Sequence, residues 1–199
     1  MREILIATRN KNKFIEIKKM LGSLGLKLKS LNDFKNIPEI EEDGETFVEN
    51  ARKKAREASL ATGLISLADD SGLEVEALGG RPGVYSARFS GPEANDEKNI
   101  EKLTGLLKNT PENQMSACFR CSAVLADKDR IIAETEGICR GRIILTPKGN
   151  HGFGYDPVFI PDGYDKTFAE LGPEIKDKIS HRAKAFEKMS EIIKKMLKI

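Results

Sequence analysis

Two groups of acidic residues have the composition of a site for a divalent metal ion. Asp69 and Asp70 follow the short apolar run 64–68, and Glu42 lies with two other acids in the irregular segment 32–44. Hard cations such as Mg²⁺ take oxygen ligands, usually one or two carboxylates completed by phosphate oxygens and water. Because neighbours on a strand point to opposite faces, only one of Asp69 and Asp70 is expected to reach the metal. Taken alone, these acids also suit a capped turn and a solvated loop.

A polar turn lies between the apolar run 4–7 and a stretch with helical spacing of apolar residues. The start of a helix offers unpaired backbone N–H groups and a positive partial charge, which favour phosphate. The glycine spacing of a Walker loop is absent, so the turn by itself is better explained as a solvated basic loop. Its residues are Thr8, Arg9, Asn10, Lys11, Asn12 and Lys13.

Two later segments offer groups that can bind a nucleotide. In the first, Phe153 can stack on a base and Asp156 can accept from a base edge, although a glycine turn beside a core aromatic explains the pattern equally well. In the second, Ser180 is the expected N-cap of the last helix, and the cationic Arg182 in its first turn opposes the helix dipole. The residues concerned are Phe153, Gly154, Tyr155, Asp156, Lys176, His181 and Arg182.

Together these pieces predict metal-assisted phosphoryl chemistry on a nucleotide. Such chemistry needs positioning and neutralisation of charge more than a covalent nucleophile. The chain has two His residues, neither in the spacing of a Ser-His-Asp triad or a metal site.

The elements that must carry these residues alternate along the chain. Apolar runs and helical periods follow the order βα, βα, β, α, a long hairpin, β and α, which predicts a mixed sheet with helices on its faces. Thr46 and Glu49 form a capping box at the start of an Ala-rich helix that extends to about residue 61. Polar loops gather at strand ends, where open α/β sheets bind ligands.

Composition bounds the class of protein. The 199 residues suit one domain, with or without two lobes around a cleft. A net charge of +2, from 33 basic and 31 acidic residues, predicts no general affinity for nucleic acid or membranes. Residues 1–7 carry no signal-peptide pattern, so we expect a cytoplasmic protein. Cys118 and Cys121 match a Cys-x-x-Cys pair, but on a strand they would point apart, so we interpret them as structural.

Six segments, in order along nearly the whole chain, resemble the Ham1-like inosine triphosphate pyrophosphatases (dITP/XTP pyrophosphatases). Each is modest alone, and together they are specific. The segments are residues 7–13, 42–51, 68–73, 79–88, 152–157 and 179–182.

The resemblance implies an activity and an assembly. It implies a two-lobed mixed α/β fold around a central active-site cleft, one domain over residues 1–199, a homodimer and Mg²⁺ dependence. It further implies hydrolysis of ITP, dITP and XTP to the monophosphate and pyrophosphate, which removes deaminated purines from the nucleotide pool.

The resemblance also implies roles for the residues named above. Residues 8–13 would hold the phosphates, with Asn10 and Lys13 as the firmest members. Glu42 and Asp70 would bind Mg²⁺, and Asp70 would also be the candidate general base. Position 9 is usually small in this family, so Arg9 either adds a phosphate contact or points to solvent. The substrate would contact Ser71 and a nucleotide pocket formed by Phe153, Gly154, Tyr155, Asp156, Lys176, His181 and Arg182.

Two other functions are compatible with parts of the pattern. A Maf-like pyrophosphatase would share the general fold, but the segments 152–157 and 180–182 argue against it. A nucleotide sensor or nucleic-acid-binding module would not need the carboxylates of Glu42 and Asp70, and the chain has no stripe of basic and aromatic residues.

Overall fold

The protein is described over residues 3–198 by a computed structural model. Residues 1, 2 and 199 belong to the predicted domain, and the first two to the segment analysed for a signal peptide, but they lie outside the described residues. Over the described range the strands are β1 (Glu3–Ile6), β2 (Lys27–Ser30), β3 (Ser66–Val75), β4 (Ser116–Asp127), β5 (Arg130–Ile143) and β6 (Phe159–Pro161). The α-helices are α1 (Lys11–Met20), α2 (Phe47–Thr62), α3 (Asp96–Leu107), α4 (Phe168–Leu171), α5 (Pro173–Ile179) and α6 (His181–Leu197).

Local capping sets the start of α2, where the capping box was predicted, and the start of α3. Thr46 Oγ1 accepts from the Glu49 N–H while the Glu49 carboxylate accepts from the Thr46 N–H, which completes the capping box of α2. Asn95 caps α3 by accepting from the Lys98 N–H at 2.8 Å. These short-range bonds satisfy backbone donors that a helix start leaves unpaired.

The strands form one mixed sheet in the order β2-β1-β3-β4-β5-β6. Strand β1 is parallel to both β2 and β3, whereas β5 is antiparallel to β6. The predicted α/β class with a mixed sheet and flanking helices is therefore confirmed.

The described residues divide into two compact units. Unit 1 comprises residues 3–70, 121–137 and 182–198, and unit 2 comprises residues 71–120 and 138–181. Strands β3, β4 and β5 each contain residues of both units.

In unit 1 the side chains of each strand alternate between two apolar cores. Along β1, Ile4 and Ile6 pack with residues of α1 and α6, whereas Leu5 packs with the alanines of α2. Along β3, Leu67 belongs to the first core and Ala68 to the second. Even and odd positions of β3 therefore face different helices.

Unit 2 is built around aromatic side chains. Phe159 lies edge-on to Phe119, with ring centroids 4.7 Å apart, and stacks on Phe168 at 5.5 Å. Leu103 and Leu107 of α3 are buried in the same core. Burial of these rings and leucines is the main force that holds the unit together.

The structure differs from two expectations about elements. The apolar run 64–68 predicts a strand that ends before Asp69, but β3 continues to Val75 with Asp69 and Asp70 inside it. The short helices α4 and α5 were not predicted, because pieces of 4 and 7 residues carry too little periodicity. In residues 3–198 no helix is long and apolar enough to cross a membrane.

Candidate active site

Strand β3 places two adjacent carboxylates on its two opposite sides in unit 1. Asp69 lies on the same side of β3 as Leu67, which packs with α1 and α6. Asp70 lies on the same side as Ala68, which packs with α2. Their ion-pair partners differ accordingly: Lys13 and Arg182 for Asp69, and Lys54 for Asp70. The period of a strand thus gives two neighbouring acids separate surroundings.

Asp69 belongs to a buried group of charges. Its Oδ2 accepts from Nε and Nη2 of Arg182, each at 3.3 Å, and lies 3.3 Å from Lys13 Nζ. The Arg182 Nη1 donates to Glu16 at 2.5 Å. Burial raises the pKa of Asp69, but the charges of Lys13, Arg182 and Lys54 outweigh burial and hold that pKa well below its usual range. The carboxylates explain why a cation is tolerated in the first turn of α6.

Asp70 is held by α2. Its Oδ2 accepts from Asn50 Nδ2 at 3.0 Å, and its Oδ1 lies 3.5 Å from Lys54 Nζ. Burial raises the pKa of Asp70, and the Glu42 charge adds to the rise, so that Lys54 and Asn50 do not cancel it. The two adjacent carboxyls therefore have pKa values shifted in opposite directions, an arrangement typical of acid–base sites.

Glu42 and Asp70 converge on one cation. Lys54 Nζ donates to Glu42 Oε1 at 2.6 Å and lies 3.5 Å from Asp70 Oδ1. It therefore forms an ion pair with both carboxylates. Burial lowers the pKa of Lys54, but Asp70, Glu42 and Asp69 outweigh it and raise that pKa above its ordinary value. The ammonium thus stays charged between the two carboxylates.

This donor set fits a magnesium ion. Mg²⁺ is usually bound by one or two carboxylates, with phosphate oxygens and water in the remaining positions. Oxygens of Glu42 and Asp70 already lie around one positive charge, that of Lys54. Among residues 3–198 no group of three or more His, Cys, Asp and Glu side chains is placed to hold a metal, so the candidate site offers two carboxylates.

The predicted phosphate segment, residues 8–13, leads into α1 in unit 1. Asn10 is the N-cap, and its Oδ1 accepts from the N–H groups of Asn12 and Lys13 at 2.9 and 3.1 Å. Those two donors are therefore bonded within the loop, whereas the sequence suggested that they would be unpaired. Arg9 donates from Nη2 to the Ile37 carbonyl at 2.6 Å, a contact that neither expectation for position 9 included.

In unit 2, the predicted base-binding segment is held by a buried ion pair. Asp156 Oδ2 accepts from Lys176 Nζ at 2.6 Å and from the Phe153 N–H at 2.9 Å. The same ammonium lies over the Phe153 ring, 4.4 Å from its centroid. Gly152 permits this arrangement, because a Cβ there would lie 2.0 Å from Asp156 Oδ2. The lack of a side chain at Gly152 therefore makes room for the Asp156 carboxylate.

Further contacts within unit 2 place the remaining predicted residues. The Gly154 N–H donates to Asp96 Oδ2 at 2.7 Å, and the Tyr155 hydroxyl donates to the Ser86 carbonyl at 2.9 Å. His181 is buried and stacks on Phe119, with centroids 4.8 Å apart. Ser71 follows Asp70 on β3 and is half-buried.

Comparison with known proteins places the chain in a family. The model of the Ham1 family matches residues 4–192. The chain belongs to the Ham1 family. A dITP/XTP pyrophosphatase of Desulforamulus reducens is 46% identical, with 98% of this chain and 96% of that protein covered. One of Bacillus licheniformis is 48% identical, with 97% and 98% covered.

Solved structures support the same assignment to the Ham1 family. The structure of a HAM1 protein from Coxiella burnetii superposes with a TM-score of 0.89 at 41% identity, covering 98% of this chain and all of that one. A likeness of this extent includes the α/β fold with its mixed sheet.

Sequence reasoning missed two buried polar residues of this candidate site. Asn50 and Lys54 lie one turn apart on α2, on the buried face that also carries Ala51, Ala55 and Ala58. An amide and a lysine at i and i+4 in an apolar stripe need buried partners. That pattern is visible in the sequence and could have revealed both residues.

The thiols do not form a redox pair. Cys121 is buried in the unit 1 core, whereas Cys118 Sγ in unit 2 donates to Glu74 Oε2 at 3.3 Å. Burial, with the Glu74 carboxylate, raises the pKa of Cys118 from 9.0 to about 11. The structural interpretation of these cysteines is thereby supported.

We expect Cys118 to alkylate slowly. At pH 8 its thiolate fraction would be about 100-fold below that of a thiol with the reference pKa, so iodoacetamide should react about 100-fold more slowly than with such a thiol. Peptide mapping by mass spectrometry over time measures the rate at Cys118. Glu74→Gln should accelerate the alkylation of Cys118. If Cys118 of the unsubstituted protein reacted as fast as cysteine in solution, the prediction would be contradicted.

Proposed function

We propose that this protein hydrolyses the deaminated purine nucleoside triphosphates ITP, dITP and XTP to the nucleoside monophosphate and pyrophosphate. The observation that carries the proposal is the convergence of Glu42, Asp70 and Lys54 in a member of the Ham1 family. Relatives at 46% and 48% identity bear the name dITP/XTP pyrophosphatase. The activity would remove deaminated purines from the nucleotide pool.

In this reaction water attacks the α-phosphorus, and the bond from that phosphorus to the α–β bridging oxygen breaks. Asp70 accepts the proton of the attacking water, the role that the family resemblance implies for this carboxylate. Asp69, with its pKa held low by Lys13 and Arg182, is a poorer base and serves to orient those cations. Pyrophosphate leaves with the bridging oxygen.

Charge neutralisation is divided among the residues of unit 1. Glu42 and Asp70 would hold Mg²⁺, which supplies positive charge to the phosphate oxygens. Lys54 contributes an ammonium group beside these two carboxylates, and Lys13 contributes one beside Asp69. Further phosphate contacts come from the segment that precedes and starts α1: Thr8, Arg9, Asn10, Lys11, Asn12 and Lys13.

The base would be bound by residues of the segment after β5 and of the start of α6. The Phe153 ring, fixed by the Lys176 ammonium, offers a surface for stacking. Backbone donors near His181 and Arg182 would bond the 6-oxo group of the base, and an adenine amino group would leave them unpaired at a cost of several kcal/mol. The remaining members of this site are Ser71, Gly154, Tyr155 and Asp156.

Three wider expectations stay predictions. We propose that residues 1–199 act as a single domain, since β3, β4 and β5 each run through both units. We propose a homodimer and a cytoplasmic location on the basis of the family resemblance.

Product analysis tests the proposed function. The protein is incubated with dITP, ITP or XTP and Mg²⁺, beside dATP and GTP, and the products are separated by ion exchange. We expect the monophosphate and pyrophosphate, little turnover of dATP, and no turnover when EDTA is added. Release of diphosphate and inorganic phosphate would mean that another bond is cleaved. No turnover of any triphosphate would favour a nucleotide sensor.

A further inference from the structure

The side-chain amide of Asn50 links the two segments of the chain that carry the candidate metal ligands Glu42 and Asp70. Its Nδ2 donates to Asp70 Oδ2 at 3.0 Å, and its Oδ1 accepts from the Gly44 N–H at 2.8 Å, two residues after Glu42. We propose that Asn50 is a positioning residue that holds Asp70 and the Glu42 segment in one fixed arrangement before substrate binds. This inference rests on the proposed function and assigns a residue to it.

Burial makes the Asn50 bridge specific. Asn50 has no exposed surface, so its amide can exchange neither partner for bulk water. A buried polar group that loses its partner costs about 1–3 kcal/mol, which keeps both bonds formed in the folded protein. The bridge therefore transmits any displacement of residues 42–44 to the carboxylate of Asp70.

Asn50 and Lys54 hold different oxygens of the same carboxylate. Asn50 binds Oδ2 of Asp70 and Lys54 lies near Oδ1, so rotation of the carboxylate about its terminal bond would strain one contact or the other. Lys54 also binds Glu42, and Asn50 also binds Gly44. One turn of α2 thus contacts both ligand-bearing segments twice.

Gly44 is shaped for this contact. A Cβ at position 44 would lie 2.8 Å from Asn50 Oδ1, 2.9 Å from Glu49 Cβ and 3.2 Å from the Asn50 backbone nitrogen. Any side chain at this position would force the amide of Asn50 away. The requirement for glycine is the close approach of the two segments, and it gives a second route to disturb the bridge.

Asn50→Asp tests the positioning role. The new carboxylate can still accept from the Gly44 N–H, but it repels Asp70 where the amide donated a bond. Partners that orient metal ligands are typically worth about 10–100-fold in metal affinity or activity. We expect Mn²⁺ binding without nucleotide, followed by the EPR signal of free Mn²⁺, to weaken by about 10–100-fold. The kcat for dITP should fall similarly, with KM within about twofold.

Asn99→Asp is the matched control. Asn99 is the buried asparagine of unit 2 that accepts from Ser90 and donates to the carbonyls of Ser86 and Ala87. The same substitution there is expected to lower Tm without weakening Mn²⁺ binding. Equal loss of Mn²⁺ binding in both variants would assign the effect to general destabilisation and overturn the proposal.

Gly44→Ala keeps the inference testable if Asn50→Asp does not fold. It should weaken Mn²⁺ binding while leaving the Asn50 side chain chemically intact. Wild-type Mn²⁺ binding and kcat in a folded variant of either kind would overturn the proposal, as would a wild-type protein that binds no Mn²⁺ without nucleotide. Failure of the wild-type protein to cleave dITP would instead refute the proposed function.

Discussion

Replacing Asp70 with asparagine is expected to lower kcat for dITP by about 10²–10⁴-fold, the usual contribution of a general base. The amide is isosteric, but it cannot accept a proton from water and offers a neutral oxygen to the metal. Steady-state release of pyrophosphate at saturating Mg²⁺ measures the loss. A fall in kcat of less than about threefold would remove Asp70 from the proposed role.

The same Asp70→Asn substitution should leave the fold intact. Because burial and Glu42 raise the folded-state pKa of Asp70, this group stabilises the protein fully only below its unfolded pKa, and the stability is lost as pH rises through the folded pKa. Removing the charge should therefore keep or raise Tm at pH 7. Loss of activity without loss of Tm separates catalysis from folding.

Asp43→Asn is the control for Asp70→Asn. Asp43 pairs with Lys53 at 2.8 Å, beside the Glu42–Lys54 pair, but its side chain is 58% exposed. An exposed pair contributes about 0–1 kcal/mol, and Asp43 has no proposed role. This variant should keep the wild-type kcat and Tm.

Arg182→Met is expected to lower the free energy of unfolding by about 3–5 kcal/mol, the range found when one partner of a buried ion pair is removed. Arg182 is 2% exposed, and its loss would leave the buried carboxylate of Asp69 with Lys13 as its close cationic partner. For a chain of this length the change corresponds to about 6–20 °C in Tm. Urea and thermal unfolding at pH 7 measure it.

Arg52→Met provides the comparison. Arg52 binds both carboxylate oxygens of Glu134, yet its side chain is 47% exposed, so we expect a loss of about 1 kcal/mol or less. Equal losses in the two variants would contradict the importance of the buried pair. The double variant Arg182→Met with Asp69→Asn should recover part of the stability, because the buried negative charge that Arg182 compensates is also removed.

This instability affects how base selectivity is tested. Loss of discrimination between ITP and ATP in an Arg182→Ala variant would support the proposed recognition of the 6-oxo group, and unchanged discrimination would contradict it. Because the side chain of Arg182 is bound to Asp69 and Glu16, the ratio of kcat/KM values must be measured where the variant is folded. The ratio, unlike the absolute rate, does not depend on the folded fraction.

Local interactions made much of the fold readable from the sequence. The capping box of Thr46 and Glu49, the cap at Asn95 and the apolar periods of α1, α2 and α6 depend on residues three or four positions apart. The mixed sheet followed from the order of these elements. The short helices α4 and α5 could not be predicted in this way, because helices of so few residues depend on packing within unit 2.

The chemistry of the site was predictable as a set of residue types. From the sequence alone, a nucleotide and a metal are indicated by carboxylates at 42 and 70, cations in the 8–13 segment and an aromatic at 153. The end of β3 was misjudged because charged residues usually close an apolar run, whereas here Asp69 and Asp70 are buried inside a strand. Their cost is offset by Arg182 and Lys13 on one face and Lys54 on the other.

The sequence by itself therefore determined the long helices and the mixed sheet, the residue types of the site and the family to which they belong. Only the tertiary structure decided which cation meets which carboxylate. Arg182 reaches Asp69 across 113 residues and Glu16 across 166, and Asn50 reaches Asp70 across 20. Such pairings depend on the packing of α1, α2 and α6 against β3, because a buried charge is stable only where folding brings its partner.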